Sequence, residues 1–431
     1  MARPSIPTGT WRGRRRGIAL ALVLTVVSAL LAGCGGGSGK PTLAWYINPD
    51  TGGQDAVAKR CSTDRYTINT QVLPTDASQQ RIQLARRLAA GDSSIDLMSI
   101  DPPYTAEFAN AGYLAPIPAD LAATLKQQSF KSATAAGTWG GKLVVAPFWS
   151  NTQVLWYRKS FVDKAGIDMS QPVTWAQIIK VASANEGTVA VQANKYEGYV
   201  VWINALVAGA GGSLVENAQK GVDAKIAISS AAGEDAAKVI MDLVHSTAKP
   251  ADLSVSNEGT AGTTFGTDKG AFMVNWTYIF HNYDTTDPQV AKDIGYTMYP
   301  ETVPGKAPRP PYGGIGIGIS KFSDHIDLAT QAVKCMTDAT SQGVNAELTG
   351  NMPASAAGYD YPALKKAYPA DLLALFQKSL DAAAPRSVTP YWGDISSAIQ
   401  STWHSPTSVT VKTPQKSATF IEQVLHGKAL L

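Results

Sequence analysis

From Thr42 onward the chain alternates short apolar runs with amphipathic stretches, and the spacing of the apolar positions assigns the elements. Residues 42–47, with Leu43, Trp45 and Ile47 on one side, read as a short buried strand. Asn48-Pro49-Asp50-Thr51-Gly52-Gly53 is then a loop that opens a helix over 54–61. Residues 66–73 form a second strand. Residues 78–90 carry Ile82, Leu84, Ala85 and Leu88 at helical spacing and stop at Gly91-Asp92, and residues 95–100 make a third strand that ends at Asp101. This β-α-β-α-β order with short connections predicts a parallel sheet whose ligand loops lie at the carboxyl ends of its strands. Asn48 and Asp101 both fall at such ends.

Further on, a helix-rich region begins near Asp163. Val173-Thr174-Trp175-Ala176-Gln177 starts a helix with Thr174 as N-cap, and the region runs to about Trp276. Residues 294–299 and 314–320 read as strands around the Pro-rich stretch 300–311, and the remainder is mostly helix; no internal repeat is present. An early α/β unit, a long middle insertion and a return to strands predict two α/β lobes. The first comprises 41–150 with a return segment at about 277–345, the second 151–276 with a return at about 346–431. A multi-strand hinge joins them and a cleft lies between.

Composition narrows the class. A chain of 431 residues, 45% hydrophobic and 16% charged, with 10 Trp, 16 Tyr and 10 Phe, has enough apolar side chain for two cores and favours an aromatic-lined cleft. The net charge of +3 includes five arginines in the first sixteen residues, so the remainder is neutral to slightly acidic, a poor footprint for nucleic acid. Those arginines precede an uncharged run, Gly17 to Gly33, and the combination reads as a signal peptide over 1–33. Leu31-Ala32-Gly33-Cys34 has the pattern of a bacterial lipobox, in which small residues admit a peptidase and the Cys34 thiol takes a lipid; residues 34–40 are the tether. A retained anchor helix is the competing reading. Arg15-Arg16 fits twin-arginine export and a general basic leader equally. With Cys34 lipidated, Cys61 and Cys335 remain, either as a disulfide between an early and a late helix or as two separate thiols.

Several stretches resemble one family. Gln80-Arg81-Ile82-Gln83-Leu84-Ala85-Arg86-Arg87-Leu88-Ala89-Ala90-Gly91-Asp92, Pro147-Phe148-Trp149-Ser150-Asn151-Thr152-Gln153-Val154-Leu155-Trp156-Tyr157-Arg158, and Lys269-Gly270-Ala271-Phe272-Met273-Val274-Asn275-Trp276 occur in the order found in family 1 extracellular solute-binding proteins of ABC importers. Within that family the resemblance, which extends to Tyr104 to Ala109, is strongest to trehalose-binding mycobacterial lipoproteins. It implies a periplasmic-binding-protein-like fold and sugar contacts from Gln80, Asp101, Asn151, Glu258, Trp276 and Arg386, with Tyr278, Gly314 and Ile315 as wall. Asn48 and Asp50 are further candidates, in a loop that departs from those relatives, as do 347–353 and the region 284–311.

The chemistry of these side chains fits a neutral disaccharide, which offers many hydroxyls on rings with apolar faces. Asp101 and Glu258 accept from hydroxyl pairs, Asn151 and Gln80 donate and accept, Arg386 donates in a fork, and Trp276 offers a stacking face. Each has a plainer reading: Asp101 as a cap before Pro102-Pro103, Asn151 as a backbone cap, Trp276 as core, Glu258 as an exposed first-turn residue, Arg386 as a surface ion-pair partner. A secreted glycosidase is the rival from another class, because two carboxylates in a sugar cleft suit that chemistry. The histidines at 245, 281, 325, 404 and 426 are far apart, and no metalloprotease, nucleophile-elbow or phosphate-loop motif is present. The expectation is therefore a monomeric, non-catalytic lipoprotein on the outer face of the cytoplasmic membrane, without cofactor or metal. It captures a small sugar by lobe closure and delivers it to importer permease subunits. Maltodextrin is the runner-up ligand and a phosphorylated sugar ranks last.

Overall fold

The structure, a computed structural model, describes residues 39–431; the expected leader and the Cys34 lipidation site lie outside them. Strands β1 (Thr42–Ile47), β2 (Thr67–Val72) and β3 (Leu97–Ile100) pair in parallel, with β1 between the other two. Helices α1 (Gly53–Cys61) and α2 (Ala77–Ala89) make the crossovers. The local signals that assign these elements are visible in their bonds: Leu43, Trp45 and Ile47 are buried while their neighbours are not, and Asp76 caps α2 by accepting from the Gln79 amide at 2.9 Å.

Beyond β3 the sheet changes direction. The long strand β4 (Ala146–Arg158) leads to α3 (Trp175–Ala184), β5 (Thr188–Ala190) and α4 (Glu197–Gly209). Then follow α5 (Glu258–Phe265), β6 (Gly270–Trp276), β7 (Ile294–Thr297) and β8 (Tyr312–Ile319). The eight-stranded sheet runs β2-β1-β3-β8-β4-β6-β5, with β7 also paired to β4. It is mixed: β8 is antiparallel to both β3 and β4, and β6 and β7 are antiparallel to β4. A single strand therefore serves both halves. Its first part, through Thr152, pairs with β8, and its second, from Gln153, pairs with β6 and β7. Ile294–Thr297 pairs with Leu155–Arg158 and so joins the half that contains β6, although the sequence boundaries assign it to the first lobe's return. The chain comes back to β3 only at β8.

Thr174 caps α3 in a full capping box with Gln177, as its sequence predicts. Trp175 then packs on Trp202 and Tyr299, each fully buried. Near the other end of the sheet a disulfide joins Cys61, the last residue of α1, to Cys335 in α6 (Ile326–Met336), 274 residues away, so the bridged alternative is the one realised. Among the described residues no helix is long and apolar enough to cross a membrane.

Candidate functional site

A cavity of about 620 Å³ opens where strand ends from both halves of the sheet meet helix starts, and all eleven candidate residues line it. Asn48 and Asp50 come from the loop after β1, Asp101 from the end of β3, Asn151 from the middle of β4 and Trp276 from the end of β6. Gln80 lies on α2, Glu258 opens α5, Gly314 and Ile315 belong to β8, Tyr278 follows β6, and Arg386 lies in the segment before α7 (Trp392–Trp403).

Their bonding divides them. Arg386, only 5% exposed, donates to Asp101 Oδ1 and Glu197 Oε1, each at 2.8 Å. Glu197 also accepts from the Trp392 indole N–H at 2.9 Å and from the Ser396 hydroxyl, so both of its oxygens are engaged within the protein. Arg386 is thus not the surface ion-pair partner of its plainer reading: burial acts against its charge, and the two carboxylates outweigh it. Asn151 is likewise committed, donating to Asn351 Oδ1 and accepting from the Thr277 hydroxyl, both at 2.8 Å. Both oxygens of Asp50 accept from the backbone at the start of α1, from the Gly52 and Gln54 amides at 2.9 Å. Gln80 donates to the Pro74 carbonyl at 2.8 Å.

Other groups have partners to spare. Glu258 forms no ion pair among those of the described residues, while burial raises its carboxyl against the pull of its own backbone N–H, Tyr196 and Trp276. The Asn48 side-chain oxygen is buried without a hydrogen-bond partner, and the Tyr196 hydroxyl is buried beside the Glu258 carboxyl. Asp101 is pushed up to about 6 chiefly by burial, with Arg386 pulling down and Glu197 and Glu258 pushing up. The Trp276 ring lies against β8 at Gly313, where an added Cβ would stand 2.6 Å from it. Gly314, at φ +121°, lets β8 approach β4 so closely that a Cβ there would meet the Trp149 carbonyl oxygen at 2.3 Å. Burial also raises the Tyr278 phenol, which stays a neutral hydroxyl on the wall.

Sequence reasoning missed Tyr196, Glu197, Trp149 and Asn351, all on the same cavity. Glu197 had a signal: it is the one charged residue at the start of an otherwise uncharged and mostly apolar run from Gly198 to Gly209, and a carboxylate there needs a buried partner. Trp149 lies inside the Pro147 to Arg158 stretch, and nothing in that stretch distinguishes it from core. Among the described residues no cluster of His, Cys, Asp and Glu is placed to hold a metal.

The family model for bacterial extracellular solute-binding proteins matches residues 58–343. The chain belongs to that family. It is one of substrate-binding proteins, not catalysts, so the carboxylate pair is not a glycosidase's. A protein of Deinococcus radiodurans described as a probable ABC transporter-binding protein is 25% identical over 370 residues, covering 82% of this chain and 84% of its own length. Among solved structures, maltose-bound T. maritima MalE3 has a TM-score of 0.78 at 22% identity, over 90% of this chain and 100% of that one. The GacH receptor of Streptomyces glaucescens, solved unliganded and with acarbose, scores 0.76 at 20% identity, over 91% and 99%. These likenesses establish the fold, a periplasmic-binding-protein-like α/β architecture.

Proposed function

We propose that this family member is the sugar receptor of an ABC importer, with a neutral disaccharide of the trehalose kind as its ligand. The observation that carries the reading is the convergence of Asp101, Glu258, Asn48, Tyr196 and Trp276 on one cavity, where Glu258 has no cation and the Asn48 side-chain oxygen has no protein partner. Sugar hydroxyls supply those partners, and the indole and phenol rings cover the apolar ring faces. Against one guanidinium, which is already paired, the cavity sets five carboxylates, those of Asp50, Asp76, Asp101, Glu197 and Glu258, so it disfavours phosphorylated sugars. The Gln80 to Leu88 and Asn151 to Arg158 motifs, which resemble the mycobacterial trehalose-binding lipoprotein LpqY, support trehalose.

Maltose or a longer α-glucan is the second reading, favoured by the maltose- and acarbose-bound neighbours. In either case the halves of the sheet act as lobes that β4 and its neighbours hinge, and they close over the ligand. Cys34 carries the lipid that holds the monomer at the outer face of the cytoplasmic membrane, and the closed form meets the permease subunits. Calorimetry of residues 35–431 against trehalose, maltose, maltotriose and sucrose tests this. Trehalose selectivity supports the first reading, a maltotriose preference moves the assignment to the second, and no heat with any of them removes both.

A further inference from the structure

Ala384, Pro385 and Ser387, the neighbours of Arg386, line a second cavity of about 470 Å³. Its other walls are the end of α4 with the glycine-rich turn that follows, and the Pro-rich loop that bears Lys306 and Arg309. The two cavities share elements and not charge. The sugar cleft has five carboxylates and one committed guanidinium, whereas the second cavity has two cations and no acidic side chain on its lining.

We propose that this second cavity binds a small oxyanion, a phosphate or a carboxylate. Arg309 is exposed, has no carboxylate within ion-pair distance among the described residues, and presents a fork suited to two anion oxygens. Lys306 gives one proton to the Ala210 carbonyl at 2.8 Å, which answers the negative end of α4, and keeps two. Asn204 lines the cavity at 5% exposure, and its amide nitrogen is buried without a hydrogen-bond partner. A polar group of this kind is costly unless something accepts from it, and a rotation of the Asn204 side chain toward the cavity gives it an anion oxygen as acceptor. Ser213 and Ser387 add hydroxyls on the same lining.

The proposal is independent of the sugar assignment, and its test needs no sugar. The folded chain is titrated with inorganic phosphate and, separately, with succinate, each against sodium chloride at matched ionic strength, with melting temperature and binding heat as readouts. A rise in melting temperature with either oxyanion is expected, and the two arms distinguish phosphate from carboxylate. In Arg309→Glu, an exposed change that leaves the melting temperature in chloride unaltered, the affinity falls at least tenfold. Asn204→Leu, which removes the unpartnered amide without opening a void, weakens binding in the same direction. Absence of an oxyanion-specific shift in the unaltered chain, or a shift retained in full by Arg309→Glu, overturns the proposal.

Discussion

Two groups of side chains line the sugar cavity, and they differ in what is left for a ligand. Around Arg386 every charged partner is answered: the guanidinium spans Asp101 and Glu197, and Glu197 is closed off by Trp392 and Ser396. Around Glu258 the carboxylate has no cation, only the Tyr196 and Trp276 side chains, and the Asn48 oxygen has no partner. The residue types are the same and the work is different. The first group is scaffold, which fixes the cleft's shape and negative field; the second is where ligand hydroxyls complete a network that the protein leaves incomplete.

The largest effect that separates the groups is on stability. Glu197→Ala leaves a buried guanidinium with one partner in place of two, and breaking such a pair costs about 3–5 kcal/mol, read as a lowered midpoint in urea unfolding. Neutralising all three members together, Asp101→Asn, Glu197→Gln and Arg386→Met, recovers part of that loss, because no uncompensated charge stays buried and the Gln oxygen still accepts at Trp392. If Glu197→Ala unfolds within about 1 kcal/mol of the unaltered chain, the scaffold role is wrong. The second group behaves in the opposite way. Glu258→Gln or Trp276→Ala leaves the urea midpoint nearly unchanged and weakens sugar binding by about 1.5–3 kcal/mol, tenfold or more, measured by calorimetry.

The sequence made some of this division legible and hid the rest. Strand-loop-helix periodicity gave β1 to β3 and their crossovers, because parallel α/β units advertise themselves in local spacing. The antiparallel return of β8 between β3 and β4 was not visible, since a glycine-rich run such as Tyr312–Ile319 specifies no partner by itself. Gly314 makes the point: its need for φ +121° exists only once β4 lies beside it. Positions at strand ends were found, while Glu197 and Tyr196 were missed. Their roles depend on Arg386 and Glu258, 189 and 62 residues away, and pairing over that range leaves no local pattern.

A smaller effect concerns pH, and it crosses the two groups at Asp101. Hydroxyl donors bond best to the ionised carboxylate, so ligand binding lowers the Asp101 pKa from its free value of about 6. Affinity is therefore full above about pH 6 and falls as the solution is acidified through it, by at most tenfold per pH unit from this group. Glu258, also raised, acts with the same sign. Stability moves the other way. Because the folded pKa lies above the model-compound value of 3.8, this group's contribution favours the free protein below that value and is lost as pH rises toward 6. Asp101→Asn flattens its part of both profiles, and an affinity step near pH 6 that survives the substitution assigns the step elsewhere.

The smallest effect tests two neighbours in one loop. Asp50 and Asn48 both line the cavity, yet both Asp50 oxygens serve the start of α1 while the Asn48 side-chain oxygen serves nothing in the protein. Asp50→Asn keeps one acceptor at the helix start but loses the other along with the charge that the helix dipole favours, so it costs about 1–2 kcal/mol of stability and leaves sugar affinity within about twofold. Asn48→Ala removes a buried acceptor that had no partner and leaves the urea midpoint level, but the ligand loses a bond and affinity drops by about 1 kcal/mol. The two variants therefore move different instruments. If Asp50→Asn weakens the sugar more than Asn48→Ala does, the saturated carboxylate is the ligand contact, and a full set of protein partners no longer separates scaffold from site.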